Sequence, residues 1–210
     1  MNIVLIGIQG CGKGTLVAGL EKHIDFDLIS IGQLLREEVM TGSELGKHIK
    51  EVQNSGQLVE IETVLAAINK KLSTSTKEIA IFDGFPRNEL QADKFEEMSQ
   101  VDLVIHLHLS KDVAMKRLLN RLTCEDCGYI TNKEKEQTDV CPVCSGKLAQ
   151  RWDDTVESIE KRFATFERET YPLLEKYSRL GVRVETIESI NAEDTLNTVL
   201  KVLNEYNYQK

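Results

Sequence analysis

Residues 2–15, Asn-Ile-Val-Leu-Ile-Gly-Ile-Gln-Gly-Cys-Gly-Lys-Gly-Thr, run from an apolar, β-branched segment straight into a glycine-rich turn carrying a lysine. That order leaves few architectures open. A short buried strand must feed a tight loop that opens onto a helix, which is the sequence form of a phosphate cradle in an α/β protein. Gly10, Gly12 and Gly14 let consecutive backbone N–H groups converge on one anion, because positive φ angles cost glycine little. Lys13 adds a mobile charge for outer phosphates, and the helix beginning beside it offers its positive end. Gly10, Cys11, Gly12, Lys13, Gly14 and Thr15 are therefore expected to hold the phosphates of a nucleotide such as ATP. Cys11 reads there as a small residue, with a thiol activated by Lys13 and the helix N-terminus as the alternative.

The general loop pattern places a Mg²⁺-ligating hydroxyl directly after the lysine, but here that position is Gly14 and the hydroxyl of Thr15 follows it. A Mg²⁺ ion would lean more on substrate phosphates and water, which suits a cation that dehydrates reluctantly. Gly-Lys-Gly-Thr resembles the loop of nucleoside monophosphate kinases rather than that of GTPases or motor ATPases.

The 210 residues suit one core domain with insertions, and 41% hydrophobic content can fill it. The apolar stretch at Ile3–Ile6 is too short for a signal peptide or a membrane span, so a cytoplasmic location is expected. With 26 basic and 34 acidic residues the net charge is −8, which argues against a general nucleic-acid or anionic-membrane binder. Any local gathering of arginines in such a chain is correspondingly informative.

Five cysteines divide into a lone one and a set of four. Cys124-x2-Cys127 and Cys141-x2-Cys144 form two knuckles, the pattern of a tetrahedral, structural Zn²⁺ site. Iron or a pair of disulfides are the alternatives, the latter disfavoured in a chain without a secretion signal.

Strands are predicted at Asn2–Gly7, Asp27–Ile29, Glu78–Phe82, Asp102–Leu109 and Val182–Thr186. Helical periodicity runs through Lys13–His23, Ile61–Leu72, Glu89–Met98, Val113–Arg121, Val156–Tyr177 and Ala192–Glu205. Ser110 is a candidate N-cap. This alternation predicts a doubly wound, five-stranded parallel sheet, with ligands beyond the carboxyl ends of its strands near Gly7, Asp83 and Ser110. Two segments break the pattern and read as mobile inserts: 30–59, with helices Gln33–Met40 and Glu44–Asn54, and 122–155, carrying the paired cysteines. The core is then 1–29, 60–121 and 156–210. His106 and His108 share a strand face and read as packing residues, with a two-ligand metal pair as the alternative, and Trp152 reads as an anchor at the hinge of the second insert.

Ile81-Phe82-Asp83-Gly84-Phe85-Pro86-Arg87, followed by Gln91, carries further chemistry. A strand ending in Asp-Gly places the Asp83 carboxylate at the mouth of the site, where it can hold Mg²⁺ waters. Gly84 and Pro86 fix a bend that aims Arg87 at an anion. With the loop at 7–15 and Ser30-Ile31-Gly32-x3-Arg36, this resembles the adenylate kinase family through almost the whole chain. The cysteine-bearing insert looks like the zinc lid of many bacterial members.

The resemblance implies the P-loop nucleoside monophosphate kinase fold, ATP and AMP as substrates, ADP as product, and a monomer. It implies Lys13 along the transferred phosphates, with Arg36 and Arg87 clamping the AMP phosphate. Gln91 would meet the acceptor adenine edge, and Ile31, Gln57, Leu58, Val59 and Gly84 would shape the acceptor pocket. Arg117 would stack on the donor adenine. Arg121, Arg151 and Arg162 would close over the phosphates, positioned with Asp153 and Asp154, so that Arg151 and Arg162 also reach the AMP side. Arg117 and Arg121 stand i,i+4 on one helix face, and Arg121 and Arg151 bracket the insert that a metal would fold.

The chain departs from the family pattern at Gln9 (commonly Pro), Ile31 (usually Thr), Gln33 (usually Asp) and Ser189-Ile190 (a glycine-containing turn). Ile31 leaves a kinase for CMP or UMP as a competing reading, which Gln91 opposes. A different class is a P-loop zinc-ribbon protein that binds nucleic acid. Against it, Lys133, Lys135 and Lys147 of the insert sit among Glu125, Asp126, Glu134, Glu136 and Asp139.

Overall fold

The computed structural model describes residues 1–55, 57–73, 77–136 and 138–208. Five parallel strands form the main sheet: β1 (Asn2–Ile6), β2 (Asp27–Ser30), β3 (Ala80–Asp83), β4 (Leu103–His108) and β8 (Arg183–Glu188), in the order β2-β3-β1-β4-β8. β1 lies at the centre, with Leu5 opposite Asp83 on one side and Ile105 on the other. Ile3 and Val4 are wholly buried and Leu5 and Ile6 nearly so, as a strand covered on both faces requires. The chain leaves β1 toward β2 and β3 and later crosses to β4 and β8. The turn after β1 therefore sits at the switch point where ligands of open α/β sheets bind.

The helices are α1 (Lys13–Leu20), α2 (Ile31–Met40), α3 (Glu44–Asn54), α4 (Ile61–Leu72), α5 (Glu89–Met98), α6 (Lys111–Leu119), α7 (Val156–Thr165), α8 (Leu173–Arg179) and α9 (Ala192–Tyr208). α1 packs on α9, where Gly19 leaves room for Leu196. α5 sends Phe95 edge-on against Phe82 and Phe85, with ring centroids 4.6 and 5.4 Å away. None of the described helices is long and apolar enough to cross a membrane.

Three expectations about helices change. The helix expected to run to Arg121 ends at Leu119, and Arg121 opens a strand (Arg121–Cys124), so it does not share a helix face with Arg117. Ser110 occupies the N-cap position of α6, but its side chain makes no capping hydrogen bond. The single helix expected over Val156–Tyr177 is instead α7, a π-helical turn at Phe166–Thr170, and α8. Pro172 brings no N–H to the ladder, and the N–H of Tyr171 reaches back to the carbonyl of Phe166 at 2.8 Å. The wider turn places Thr170 Oγ1 2.6 Å from the Arg87 carbonyl, to which it donates. The core stripe is unaffected, with Phe163, Phe166 and Leu173 all buried.

The cysteine-bearing segment forms a separate antiparallel sheet, ordered β6-β5-β7, from β5 (Arg121–Cys124), β6 (Ile130–Asn132) and β7 (Leu148–Ala149). Its small core is Cys124, Cys141 and Leu148, with Leu122 and Tyr129 packed against them. So few apolar groups give it little stability of its own.

Candidate active site

Everything converges on the carboxyl edge of the main sheet. After β1 the chain turns through Gly10 (φ +85°) and Gly12 (φ +103°), conformations an L side chain rarely adopts, and α1 starts at Lys13. α6 presses on the loop so tightly that a β-carbon at Gly10 would come 2.8 Å from the Ala114 carbonyl oxygen. The Lys13 ammonium lies across the loop, donating to the carbonyls of Gly7 (2.6 Å) and Ile8 (3.3 Å). Cys11 is fully buried, its sulfur 3.5 Å from Lys13 Nζ. Thr15 is exposed on the first turn of α1, one residue beyond Gly14.

Arg117 of α6 donates to the carbonyls of Ser189 (3.1 Å) and Ile190 (2.7 Å), so both forks of its guanidinium are pinned to the turn after β8. The Ser189 hydroxyl donates in turn to the Cys11 carbonyl. The residues that stand in place of a glycine turn therefore brace the phosphate loop.

On the opposite side of β1, Asp83 ends β3 beside Ser30, whose hydroxyl donates to it at 3.4 Å. Arg87 Nε donates to the Gly84 carbonyl at 2.8 Å, and its guanidinium occupies the space a Gly84 side chain would take: a β-carbon there would lie 2.9 Å from Nη2. Arg36 repeats the device on α2, with Nη1 3.2 Å from where a Gly32 β-carbon would stand. Each of these two arginines thus lies against a glycine. Gln91, almost fully buried, accepts the Arg87 backbone N–H at 2.8 Å. It keeps a second carbonyl lone pair and its amide hydrogens for another partner. Ile31 and Val59 are buried in the main core, while Leu58 is half-buried and Gln57 exposed in the connection between α3 and α4.

Three more arginines approach from β5, the turn after β7 and α7. Arg121 pairs with Asp154 at 2.9 and 2.7 Å, and Arg162 bonds both Asp153 (3.1 Å) and Asp154 (3.0 Å). Arg151 Nε donates to Thr123 Oγ1 at 3.0 Å. Burial, followed by the repulsion of Arg121 and Arg36, pulls the Arg151 guanidinium down to about 9. Burial also lowers Arg36, against Asp153 and with Arg121, and lowers Arg87, against Asp83 and with Arg162. Residues from β3, α2, β5, α7 and the turn after β7 thus share one electrostatic field. Asp83, Asp153 and Asp154 compensate it only in part. Such a desolvated cluster of cations is stabilised by polyanions.

The four paired cysteines meet as well: their sulfurs all lie within 4.8 Å of one another. Cys124 and Cys144 stand 3.4 Å apart and Cys127 and Cys141 3.7 Å. A tetrahedron with metal–sulfur bonds of about 2.3 Å has edges of about 3.8 Å, so the cluster fits a four-thiolate metal site. A disulfide, at about 2.05 Å, is a much shorter contact. Backbone N–H groups, that of Cys127 foremost and then Asp126, pull the Cys124 thiol down to about 7, while the neighbouring sulfurs push Cys127 up and Cys144 up to about 12, so the four thiols share their protons as one cluster.

Comparison with known proteins agrees with this geometry. A model of the family described as adenylate kinase matches residues 5–182, most of the chain. The chain belongs to the adenylate kinase family. Among its relatives, an adenylate kinase of Treponema denticola is 37% identical over 85% of this chain and 88% of that protein. One from Thermodesulfovibrio yellowstonii is 35% identical over 97% of this chain and 99% of its own. One from Caldicellulosiruptor bescii is 34% identical over the same shares, 97% and 99%.

Gly32 and Ser189 stand in segments that the sequence singled out, but their contacts were not legible there: Gly32 lies one helical turn before Arg36, and Ser189 meets Cys11 across 178 residues. Thr170 escaped the sequence altogether, since it meets Arg87 across 83 residues.

Proposed function

We propose that this chain transfers the terminal phosphoryl group of MgATP reversibly to AMP, giving two ADP. The reading rests on one observation above all: Arg36, Arg87, Arg121, Arg151 and Arg162, each half-buried, share a single electrostatic field in a protein of net charge −8. Phosphoryl transfer asks little covalent chemistry of a protein and much alignment and charge stabilisation. Lys13 and the backbone of Gly10–Thr15 hold the donor phosphates, and Arg117 with the 189–190 turn takes the donor base. Arg36 and Arg87 hold the acceptor phosphate, with Gln91, Gly84, Ile31 and Gln57–Val59 around the acceptor base. Arg121, Arg151 and Arg162 stabilise charge on the group in flight.

Asp83 would hold the waters of a Mg²⁺ ion bound with ATP, which would supply neutralisation of phosphate charge. Segments 30–59 and 122–155 act as inserts that close over the 1–29, 60–121 and 156–210 core and exclude water, so that ATP is not hydrolysed. Zn²⁺ on Cys124, Cys127, Cys141 and Cys144 is structural, since four thiolates leave no open position for a reactant. The protein works as a cytoplasmic monomer. ADP formation from ATP with AMP, CMP, UMP and GMP as acceptors, on a sample assayed for zinc, tests the reading. AMP is expected to exceed the others by orders of magnitude, and equal turnover of CMP or UMP would overturn the acceptor assignment.

A further inference from the structure

Lys50 is on α3 of the 30–59 segment, and Trp152 is in the turn after β7, between Arg151 and Asp153. The Lys50 ammonium stands 5.7 Å from the centroid of the Trp152 ring. That lies within the reach at which an indole face attracts a cation. Other polar groups of α3 have partners elsewhere, Lys47 with Glu44 and His48, through Nε2, with Glu60. Among the described residues Lys50 makes no hydrogen bond or ion pair, and its charge is directed at the indole.

The two residues belong to different inserts. Every neighbour of Trp152 in its turn has a task in the site: Arg151 bonds Thr123, Asp153 bonds Arg162, and Asp154 bonds Arg121 and Arg162. A force applied at the Trp152 ring is therefore delivered to the groups that carry and orient the phosphate-binding cations. An indole transmits it well, being rigid beyond two side-chain torsions.

We propose that Lys50 and Trp152 are positioning residues for phosphoryl transfer. Their contact ties the acceptor insert directly to the Arg151–Asp154 turn, so that closing one insert favours closing the other. The inference deepens the kinase reading and rests on it. Without the contact the two closures are coupled through bound substrates and the charges of Arg36, Arg151 and Asp153 alone, and AMP must supply more of the closing free energy. Where reopening limits turnover, losing such a contact raises the KM for AMP without lowering kcat.

Trp152 is the single tryptophan of the chain, so its emission reports the contact without any label. The test titrates the full-length, zinc-loaded protein with diadenosine pentaphosphate, which spans donor and acceptor sites, and follows Trp152 fluorescence in the parent, Lys50→Gln and Lys50→Arg. Steady-state kinetics with AMP are measured on the same samples. The expected result for Lys50→Gln is a dissociation constant and a KM for AMP raised about two- to fivefold, with kcat not reduced and a bound-state emission that differs from the parent. Lys50→Arg, which keeps a cation able to stack on the ring, restores all three. Equal affinity of the parent and Lys50→Gln overturns the latch, as does a fall in kcat at unchanged KM, or failure of arginine to rescue. No saturable binding by the parent would overturn the kinase reading, and the latch with it.

Discussion

Arg121 and Asp154 form a two-pronged ion pair, Nε to Oδ2 at 2.9 Å and Nη2 to Oδ1 at 2.7 Å, with the Asp154 side chain wholly removed from solvent. The same carboxylate takes Arg162 at 3.0 Å. One buried anion thus sets the spacing of two guanidinium groups, one from the first residue of β5 and one from α7. Parallel forks of this kind fix orientation as well as distance.

Arg121→Ala and Asp154→Asn should separate the two roles. On the proposed reading, removing Arg121 deletes a cation from the transferred phosphate and is expected to lower kcat about a thousandfold. The fold should survive, because Asp154 keeps Arg162. Asp154→Asn keeps both arginines but loosens them, for an expected loss of about a hundredfold. Both are read from ADP formation beside a thermal melt. Near-normal turnover in the folded Arg121→Ala protein would remove Arg121 from the reaction.

The glycines beneath Arg36 and Arg87 make a second case. Gly84→Ala places a β-carbon 2.9 Å from Arg87 Nη2 at φ +79°, so it should both destabilise the protein by about 1–2 kcal/mol and raise the KM for AMP. Gly32 has no positive φ and lies inside α2, where alanine is worth up to about 1 kcal/mol more than glycine. Gly32→Ala should therefore melt no lower than the parent while raising the KM for AMP severalfold through Arg36. A parent-like KM would mean that the Arg36 guanidinium does not rest where AMP binds.

Metal removal should act on stability first. The 122–155 segment has only a small apolar cluster of its own, so stripping the four cysteines of metal is expected to unfold it and lower the melting temperature. The ranking of AMP over other acceptors should not change, because no thiolate touches the acceptor base in this reading. Differential scanning calorimetry before and after chelation provides the measurement, and an unchanged melt of the metal-free protein would contradict a structural role.

His106 predicts an acid-sensitive core. It is buried in β4, bonded through Nδ1 to Thr186 Oγ1 at 3.2 Å, with the His108 and Tyr171 rings against it. Burial first, then the charges of His108 and Lys13, brings it from 6.5 down to about 4. Between those values the unfolded chain binds the proton and the folded one does not. Stability is therefore complete above pH 6.5 and falls as the pH drops toward 4. Urea titrations across that range should show the loss, of order 1–3 kcal/mol, and His106→Gln should flatten it.

Much of this was legible in the chain because the signals are local. The apolar run of Ile3–Ile6 with its glycine turn, the Asp83–Arg87 bend and the paired cysteine knuckles each state their conformation within a few residues. The break in the helix after Thr165 was less legible. Apolar residues remain in step through Phe166 and Leu173, so periodicity alone reads straight across a π turn, although Pro172 marks the place.

By itself the sequence determined which groups exist and how each leaves its own strand or helix, since backbone sterics, glycine freedom and hydrophobic period act over a handful of residues. Only the tertiary structure decided which of them meet. Thr170 on the Arg87 carbonyl, Ser189 on the Cys11 carbonyl, Arg162 on Asp154 and Lys50 on the Trp152 ring are contacts between separate elements. Each depends on how those elements pack, because a hydrogen bond or a charge on a ring is sensitive to ångströms that no local pattern encodes.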